Sequence, residues 1–587
     1  MQHHSPEQIN STSDNIPPAL FHDSDPNGFH DGGPNLIQCF AESFRKHFSL
    51  PALTDYATKY SLSYGELAAQ IARLHRLFSS LDLRREDKIA IMAKDSANWC
   101  VVYMAAITYG GVIVPVLSDF AVNDAVSIIN HSDAKLLFID RNLWEKVDEK
   151  AVSQAVRCVL TPEDFSLLST QDDVDRAQLE ELLAPDFISK AFPNGFTPQD
   201  IQYPTVPNEQ VMVLNYTSGT TGMSKGVMIS GQNLLGNAIY AHRLRLMFAG
   251  EQLLCFLPLA HVYSCAFNML TPLSSGTHVY ILGKVPSPVL LMKAFAEIKP
   301  VLIVTVPLIL EKIYKQAILP VLQKPAVKSI LRIPYLRRFL YSSILSRLNK
   351  TLGGNFREVI VGGAPISYEV SEFLHRIGFK LTVGYGMTEC APLISYAPHS
   401  SWVVGSSGRS LSVMEIRIEE TESEVKLSRG VGEIQVRGMN VCRGYYKNPQ
   451  ANALLFTPDG WMRTGDLGTL NRRGDLFIKG RSKAMILGSN GQNIYPEEIE
   501  LKINTFPLIS ESLVLKRNNR LVALILPDEE AARKRGLSAE QAWTQIEDFR
   551  GSLNEDLGVY EKVTRFERCT EPFVKTPKQS IKRFLYH

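Results

Sequence analysis

Apolar positions along the chain follow two alternating patterns, one typical of helices and the other typical of buried strands. The segment Ser63-Tyr64-Gly65-Glu66 has the composition of a capped helix start. Short apolar runs at 88–92, 112–116 and 135–139 predict strands. Strands separated by helices indicate parallel α/β layers. The apolar residues that follow the capped start at helical spacing are Leu67, Ile71, Leu74, Leu77 and Phe78.

The longest apolar stretch runs from Val101 to Leu117 and is interrupted by two glycines and a proline. It falls short of the roughly 20 residues that a helix needs to span a bilayer. We therefore expect a core helix that runs into a buried strand. The polar stretch 161–207 is expected to be a surface excursion that leads into the next strand.

The chain length of 587 residues requires more than one domain, because a single core stops growing near about 250–300 residues. Residues 1–35 are rich in His, Ser, Asn, Asp and Pro, which is typical of a disordered leader. A large domain is predicted over 36–481. After a short polar break, a compact second domain is predicted over 484–587.

Composition and charge narrow the class of protein. The chain is 45% hydrophobic and 21% charged, as expected of a globular protein. Its formal net charge of +2 gives no overall field that would favour nucleic acid. Its eight cysteines are scattered without a C-x-x-C pair, which argues against a metal site or disulfide framework. A reducing, cytoplasmic location is the expectation.

The segment 216–227, Y-T-S-G-T-T-G-M-S-K-G-V, directly follows the strand-like run 211–214. Glycines let backbone N–H groups approach an anion, and hydroxyls and a lysine add donors and charge. The pattern predicts a loop that binds a polyphosphate. It is not a Walker A loop, because Ser224 and Gly226 occupy positions where that loop needs glycine and a hydroxyl residue. A Gly- and Thr-rich surface loop is the alternative.

This segment resembles the signature of the adenylate-forming superfamily, [YF]-T-S-G-[ST]-T-G-x-P-K-G. The superfamily contains acyl-CoA ligases, peptide-synthetase adenylation domains and luciferases. Ser224 stands where the family usually has proline, so we expect a looser loop that keeps its phosphate contacts. The residues that the resemblance assigns to the ATP phosphates are Thr217, Ser218, Gly219, Thr220, Thr221, Gly222 and Lys225.

Two further glycine-containing segments resemble the family's adenine pocket. In Gly362-Gly363-Ala364-Pro365, the resemblance implies adenine contacts by Gly363 and Ala364. In Tyr385-Gly386-Met387-Thr388-Glu389, it implies stacking by Tyr385, with Gly386 and Thr388 alongside. Glu389 is implied as a Mg²⁺ ligand together with Thr217, since a carboxylate beside triphosphate requires a cation. Without the resemblance, these segments also fit a simple turn and a solvated glutamate.

The ribose contacts and the domain junction are implied by two later segments. Asp466, in a T-G-D segment, and Arg481 are expected to bind the ribose hydroxyls. Lys483 is the expected hinge, about which the small domain rotates between two half-reactions. Gly491 is expected to lie along the tunnel for the pantetheine of coenzyme A. The same region also fits an ordinary helix that begins at Pro496.

The carboxy-terminal end departs from the family pattern. The family has a lysine that bridges the substrate carboxylate and the α-phosphate, and Ser580 occupies its position here. Lys578 and Lys582 each lie two residues away and point the same way in an extended segment. We expect one of them to replace the missing lysine as a catalytic residue, beside Lys225 and Glu389. The alternative is a protein that adenylates poorly or not at all.

The acyl substrate is suggested by two other segments. His261 and Tyr263 resemble the family residues that border the acyl pocket, although a packed histidine is an equal alternative. Residues 312–350 contain nine Lys or Arg, no Asp or Glu, and many apolar residues. Such a segment fits contact with an anionic membrane surface on the inner face of the membrane, or a helix that simply packs on the protein. The whole pattern resembles the long-chain fatty acid–CoA ligases.

The predicted fold is therefore α/β, with a large multi-layer amino-terminal domain of parallel sheets and a small, mobile α+β carboxy-terminal domain. The resemblance implies a ligase that uses ATP, Mg²⁺ and coenzyme A to activate a long-chain fatty acid. Three alternatives stay open. They are a ligase that loads a carrier-protein thiol, a non-catalytic acyl- or nucleotide-binding protein, and a luciferase-like oxygenase.

Overall fold

The computed structural model describes residues 34–172, 174–217, 224–420, 430–487, 493–518, 520–576 and 581–586. The fold is mixed α/β, with a large amino-terminal domain and a small carboxy-terminal domain, as the sequence predicts. One large apolar core extends from Leu36 to Leu476, and a separate core lies between Ile494 and Phe566. The predicted leader 1–35 lies almost wholly outside the described residues.

The strands of the described chain fall into several sheets. They are β1 (Pro51–Asp55), β2 (Ser61–Ser63), β3 (Lys88–Met92), β4 (Val112–Pro115), β5 (Ala134–Ile139), β6 (Cys158–Leu160), β7 (Leu167–Thr170), β8 (Val211–Thr217), β9 (Lys225–Ser230), β10 (Gln252–Cys255), β11 (His278–Ile281), β12 (Leu302–Thr305), β13 (Glu358–Val361), β14 (Leu381–Val383), β15 (Tyr385–Gly386), β16 (Leu393–Tyr396), β17 (Arg409–Ser410), β18 (Met414–Glu419), β19 (Gly432–Gly438), β20 (Met462–Leu470), β21 (Leu476–Arg481), β22 (Ile486–Leu487), β23 (Asn493–Ile494), β24 (Ile509–Arg517), β25 (Arg520–Pro527) and β26 (Val563–Arg568).

The α-helices of the described chain cover the sheets. They are α1 (Leu36–Lys46), α2 (Tyr64–Ser80), α3 (Ala97–Tyr109), α4 (Val122–His131), α5 (Arg141–Trp144), α6 (Arg176–Leu183), α7 (Phe187–Ala191), α8 (Gly231–Arg243), α9 (Val262–Cys265), α10 (Thr271–Ser275), α11 (Pro288–Ile298), α12 (Pro307–Ile313), α13 (Leu319–Leu322), α14 (Pro325–Leu331), α15 (Pro334–Thr351), α16 (Tyr368–Arg376), α17 (Pro449–Leu455), α18 (Pro496–Ile503), α19 (Glu529–Lys534) and α20 (Ala539–Glu555).

The sheets of the large domain are mostly parallel. The largest has the strand order β7-β6-β5-β3-β4-β8-β9, with parallel pairing from β6 to β8 and antiparallel strands at both edges. Strands β10, β11 and β1 are parallel in a second sheet, and β12, β13 and β14 are parallel in a third. Two antiparallel sheets, β15-β16-β17 and β18-β19-β20-β21, complete the described part of the domain. The parallel layers predicted from the alternating pattern are thus confirmed.

Local sequence explains where several of these elements begin and end. Helix α2 starts with a full capping box, in which the Ser63 hydroxyl accepts from the Glu66 N–H and the Glu66 carboxylate accepts from the Ser63 N–H. Helix α3 ends at Gly110, whose φ of 90° suits a residue without a side chain. The chain then enters β4, so the predicted core helix and buried strand are both confirmed.

The prediction of a surface excursion over 161–207 fits the burial of this stretch, because most of its described residues are exposed or half-buried. This stretch contains β7, α6 and α7, and Leu179 and Phe187 are buried. Its apolar residues are too sparse to give a periodic signal, and the large core supplies the surface on which they pack. Within the described ranges, every helix falls short of the length and apolarity that crossing a bilayer requires.

In the small domain, helices α18, α19 and α20 share an apolar core with a three-stranded sheet, β24-β25-β26. Its carboxy-terminal end is held by a half-buried ion pair. The Arg583 guanidinium donates to both carboxylate oxygens of Glu500 at 2.8 Å each and to the Val514 carbonyl at 2.9 Å. Burial raises the pKa of Glu500, while the charge of Arg583 acts in the opposite direction. This pair therefore neutralises a carboxylate side chain of which only 12% is exposed to water.

Replacing Arg583 by alanine should destabilise the small domain by about 3 kcal/mol, because Glu500, with only 12% of its side chain exposed, then lacks its counter-charge. Loss of Arg583 raises the folded-state pKa of Glu500 further. The destabilisation should therefore be smaller near pH 5, where the carboxyl group takes up a proton, than at pH 8. Urea unfolding at both pH values measures it.

Lys534→Ala is the matched control, because its ion pair with Glu530 in the same domain is exposed on both sides. It should change the free energy of unfolding by no more than about 0.5 kcal/mol. A loss in Arg583→Ala that equals the control, or that does not vary with pH, would contradict the assignment.

Candidate active site

The two ends of the predicted phosphate loop lie side by side. Strands β8 and β9 are antiparallel, and Thr217 pairs with Lys225 in their register. The Thr217 hydroxyl donates to the Lys225 carbonyl at 3.5 Å. The five residues between them that are predicted to bind phosphate lie outside the described residues. They are Ser218, Gly219, Thr220, Thr221 and Gly222.

Lys225 faces a tyrosine that also contacts the predicted metal ligand. The Lys225 ammonium lies 4.9 Å from the centre of the Tyr445 ring, within the range of a cation–π interaction. The Tyr445 hydroxyl donates to Glu389 Oε1 at 2.8 Å. A lysine, a tyrosine and a buried carboxylate thus form one cluster, although they are far apart in the sequence.

The donor set around Glu389 fits one ligand of a hard cation rather than a complete metal site. Glu389 is buried, with 8% of its surface exposed. Among the described residues, no group of three or more His, Cys, Asp or Glu side chains is close enough to hold a metal ion. Mg²⁺ is typically held by one or two carboxylates with phosphates and water. Glu389 therefore suits a cation that a phosphate ligand brings with it.

A second cluster contains three of the residues that are predicted to bind the nucleotide. The Tyr385 hydroxyl donates to Asp466 Oδ2 at 2.6 Å, and Arg481 Nε lies 3.3 Å from Asp466 Oδ1. The register of β20 and β21 pairs Asp466 directly with Arg481. Cross-strand neighbours of opposite charge are close enough to interact, so the sheet itself holds this ion pair.

The electrostatics of this cluster combine burial with charge pairing. Burial raises the pKa of Asp466, while Arg481 and the Tyr385 hydroxyl act in the opposite direction. The charge of Glu389 raises the pKa of Asp466 further, so the two carboxylates share one electrostatic environment. The pKa of Arg481 is raised chiefly by Asp466. The site therefore offers the Asp466 carboxylate, paired with Arg481, to polar groups of a ligand. The same pairing keeps Arg481 charged.

Glycine is favoured at two positions of the predicted adenine pocket, at Gly386 by a close neighbour and at Gly363 by its backbone angle. A side chain on Gly386 would meet the Pro392 carbonyl oxygen at 2.2 Å. Gly363 has a φ of 84°, which favours glycine. Gly363 and Ala364 are exposed at the end of β13, and Thr388 lies beside Glu389 in a short 3₁₀ turn. These placements leave room for a ligand at the predicted adenine segment.

The predicted acyl-pocket residues lie next to that segment. The Tyr263 hydroxyl donates to the carbonyls of Thr305 and Ile360, at 3.3 and 3.2 Å, and its ring covers Gly362. His261 precedes helix α9 and is half-buried. A small apolar pocket opens beside this helix. Its lining includes Leu259, Val262, Cys265, Ala266 and Leu270.

The carboxy-terminal predictions are only partly described. Lys483 lies in a short exposed 3₁₀ turn directly after β21. Gly491, Lys578 and Ser580 lie outside the described residues. The Lys582 N–H donates to the Val574 carbonyl at 2.8 Å, within the small domain. None of the described contacts joins Lys582 to the Lys225 or Asp466 clusters.

Sequence reasoning missed two residues of the site. Tyr445 connects Lys225 to Glu389, and the Glu497 carboxylate accepts the Arg481 N–H at 2.9 Å. By its sequence position, Glu497 is only an acidic residue in the first turn of the helix that begins at Pro496. Tyr445 and Glu389 are 56 positions apart, so no local pattern joins them; the aromatic pair Tyr445-Tyr446 after Gly444 is the only local signal.

A profile of AMP-binding enzymes matches residues 40–446, more than half of the chain, and one for the AMP-binding enzyme C-terminal domain matches 483–586. The chain belongs to the AMP-binding enzyme family. The resemblance to adenylate-forming enzymes is thereby confirmed.

Several relatives of this AMP-binding enzyme carry named activities. The long-chain-fatty-acid–CoA ligase FadD15 of Mycobacterium bovis is 28% identical over 79% of this chain and 77% of its own. Long-chain-fatty-acid–CoA ligase 5 of Rattus norvegicus is 27% identical over 85% and 76%. The chloroplastic long-chain-fatty-acid–[acyl-carrier-protein] ligase AEE15 of Arabidopsis thaliana is 25% identical over 81% and 73%.

Solved structures share the fold of this AMP-binding enzyme. ATP-bound MatB from Rhodopseudomonas palustris superposes with a TM-score of 0.71 at 23% identity, covering 94% of this chain and 98% of that one. The anthranilate CoA ligase AuaEII in complex with anthranoyl-AMP gives a TM-score of 0.73 at 16% identity, covering 94% and 96%. At such identities the likeness concerns the fold alone.

Proposed function

We propose that the protein is an ATP-dependent acyl-CoA ligase whose substrate is a long-chain fatty acid. The observation that carries the proposal is the pair of clusters Lys225–Tyr445–Glu389 and Tyr385–Asp466–Arg481 in an AMP-binding enzyme. The long-chain ligases among its relatives support the substrate class. A ligase that loads a carrier-protein thiol is the second candidate, because AEE15 is also similar.

The first half-reaction joins the fatty acid to AMP. A carboxylate oxygen attacks the α-phosphorus of ATP, the bond to the bridging oxygen breaks, and pyrophosphate leaves. We assign the phosphates to Lys225, with Thr217 and the segment 218–222, and the ribose hydroxyls to Asp466 and Arg481. Adenine is assigned to Gly363, Ala364 and Tyr385. Mg²⁺, held by Glu389 and Thr217, would neutralise phosphate charge.

The second half-reaction transfers the acyl group to coenzyme A. The thiol sulfur attacks the acyl carbon, AMP leaves, and the thiol proton passes to solvent. Neither step needs a nucleophile from the protein, so catalysis is positioning and charge neutralisation. Rotation of a domain over 484–587 about Lys483 is proposed to exchange the two sites, with Gly491 at the pantetheine tunnel.

A panel of straight-chain carboxylic acids tests the proposal, with ATP-dependent pyrophosphate release as the readout. We expect release with long-chain acids, and acyl thioester formation with coenzyme A. Release without thioester, together with transfer to acyl-carrier protein, would favour the second candidate. No release with any acid, from a protein that still binds AMP in calorimetry, would identify a non-catalytic binding protein.

The proposed replacement of the family lysine by Lys578 or Lys582 can be tested by the rate of pyrophosphate exchange. If Lys578 or Lys582 bridges the carboxylate and the α-phosphate, its replacement by alanine should slow exchange about 100-fold. Ser580→Lys should restore most of the loss in that variant, because it returns the charge to the family position. Full activity in both Lys578→Ala and Lys582→Ala would rule out the replacement.

Tyr445 is predicted to orient Glu389 toward its cation. In Tyr445→Phe the ring stays but the hydrogen bond to Glu389 Oε1 is lost. Loss of such an outer contact typically weakens metal affinity about 10-fold or more. Calorimetry of ATP binding at graded Mg²⁺ concentrations should give a higher Mg²⁺ requirement, while AMP binding without Mg²⁺ is unchanged.

Tyr446→Phe is the matched control, because the Tyr446 hydroxyl donates to a different carboxylate, that of Asp133, at 2.7 Å. It should leave the Mg²⁺ requirement of ATP binding unaltered. Equal effects in the two variants would show that Tyr445 acts only through packing of this segment.

A further inference from the structure

Helix α8 carries two asparagines whose side chains are buried in the domain. Asn233 is 4% and Asn237 is 1% exposed, and positions four apart share one helix face. The Asn237 Nδ2 donates to the Asn233 carbonyl at 2.9 Å. A buried amide is costly without hydrogen-bond partners, so the other polar atoms of these side chains need partners from elsewhere in the chain.

The oxygen of Asn237 holds the backbone four residues after Glu389. Asn237 Oδ1 accepts from the Leu393 N–H at 3.0 Å, and the Leu393 carbonyl accepts from Asn440 Nδ2 at 2.7 Å. Both backbone groups of Leu393 are therefore bound to asparagine side chains. The end of the loop that contains Glu389 is thus fixed to α8 and to Asn440.

The amide nitrogen of Asn233 holds a second segment that reaches the same glutamate. Asn233 Nδ2 donates to two carbonyls of the segment 439–446, at 2.7 and 2.8 Å. Within this segment, the Cys442 N–H donates to the Glu389 carbonyl at 2.8 Å, and the Tyr445 hydroxyl donates to the Glu389 carboxylate. Helix α8 therefore supports both the backbone and the side chain of Glu389.

Helix α8 and the segment 439–446 approach so closely that only a glycine fits between them. A Cβ atom on Gly236 would lie 2.1 Å from Asn440 Oδ1. Asn440 is fully buried and its Nδ2 is bound to the Leu393 carbonyl, so this side chain has little room to move. Alanine is the better helix former, and the close contact accounts for glycine inside this helix.

We propose that Asn233 and Asn237 are positioning residues that fix Glu389 relative to Lys225. Helix α8 directly follows β9, the strand that begins at Lys225. The helix thus ties the lysine and the glutamate of one cluster to a common support. Groups that are already in place need no rearrangement when a nucleotide binds. In assigning Mg²⁺ to Glu389 we rest on the proposed function, whereas the acid and the thiol acceptor do not enter.

Hydrogen–deuterium exchange of the full chain without ligands tests the positioning directly. In Asn237→Ala the Leu393 N–H loses its acceptor, so the amides of residues 387–393 should exchange about 10-fold faster. Asn554→Ala is the matched control, because the Asn554 amide binds the N–H and the carbonyl of Val563 in the small domain, at 2.9 and 3.0 Å. It should leave exchange at residues 387–393 unchanged.

Calorimetry of ATP binding at graded Mg²⁺ concentrations follows the effect on Glu389. Asn237→Ala should raise the Mg²⁺ requirement about 10-fold, as the loss of an outer contact to a metal ligand typically does. AMP binding without Mg²⁺ should stay unchanged, since Glu389 is not assigned to AMP. Asn554→Ala should alter neither binding reaction.

Gly236→Ala reaches the same loop by a different route, because its methyl group would push Asn440 away from the Leu393 carbonyl. We expect a lower melting temperature, faster exchange at residues 387–393 and a higher Mg²⁺ requirement. Gly551→Ala in α20 is the matched control, because a Cβ atom there would have open space around it. It should keep or raise the melting temperature, as alanine favours a helix.

Two results would overturn the inference. The first is unchanged exchange at residues 387–393 in Asn237→Ala. The second is equal weakening of AMP binding and of ATP binding with Mg²⁺, which would show that Asn237 supports only the fold. A failed ligase assay, with the exchange and Mg²⁺ effects intact, would instead contradict only the proposed function.

Discussion

Two buried carboxylates, each held by a tyrosine hydroxyl, form the constraint on which the site depends. Glu389 is held by Tyr445 and Asp466 by Tyr385, at 2.8 and 2.6 Å. A carboxylate removed from water is costly unless hydrogen bonds and opposite charges compensate it. Each tyrosine uses its one proton on one carboxylate oxygen, and the rest of the acid group remains for a cation, an arginine or a ligand hydroxyl.

The sheet architecture brings these acids together from separate parts of the chain. Asp466 lies on β20, opposite Arg481 on β21, while Glu389 follows the short strand β15. Lys225 begins β9 at the edge of the largest sheet. The charge of Glu389 raises the pKa of Asp466, which indicates that these elements converge on one region. Convergence of strand ends is how α/β proteins commonly build ligand sites.

The local sequence pattern is sufficient to predict several elements of this structure. The capping box at Ser63, the helix and strand of 97–115 and the helix from Pro496 follow from short-range rules of spacing and capping. The predicted Asp466 and Arg481 do meet, since one hairpin carries both. Tyr445 was not predictable, because its role depends on partners that only the tertiary fold brings near. The short helices and the strand within 161–207 give no local signal for a related reason, because packing on the core stabilises them.

The contact of Glu497 with the Arg481 backbone has a consequence for how the two domains communicate. Arg481 directs its guanidinium to Asp466 in the large domain and its N–H to Glu497 in the first turn of α18. A molecule that engages Asp466 competes for the same arginine, and any reorientation of α18 disturbs it from the other side. Ligand binding at Asp466 and the orientation of α18 are therefore thermodynamically linked. The free energy by which the first affects the second equals the free energy by which the second affects the first.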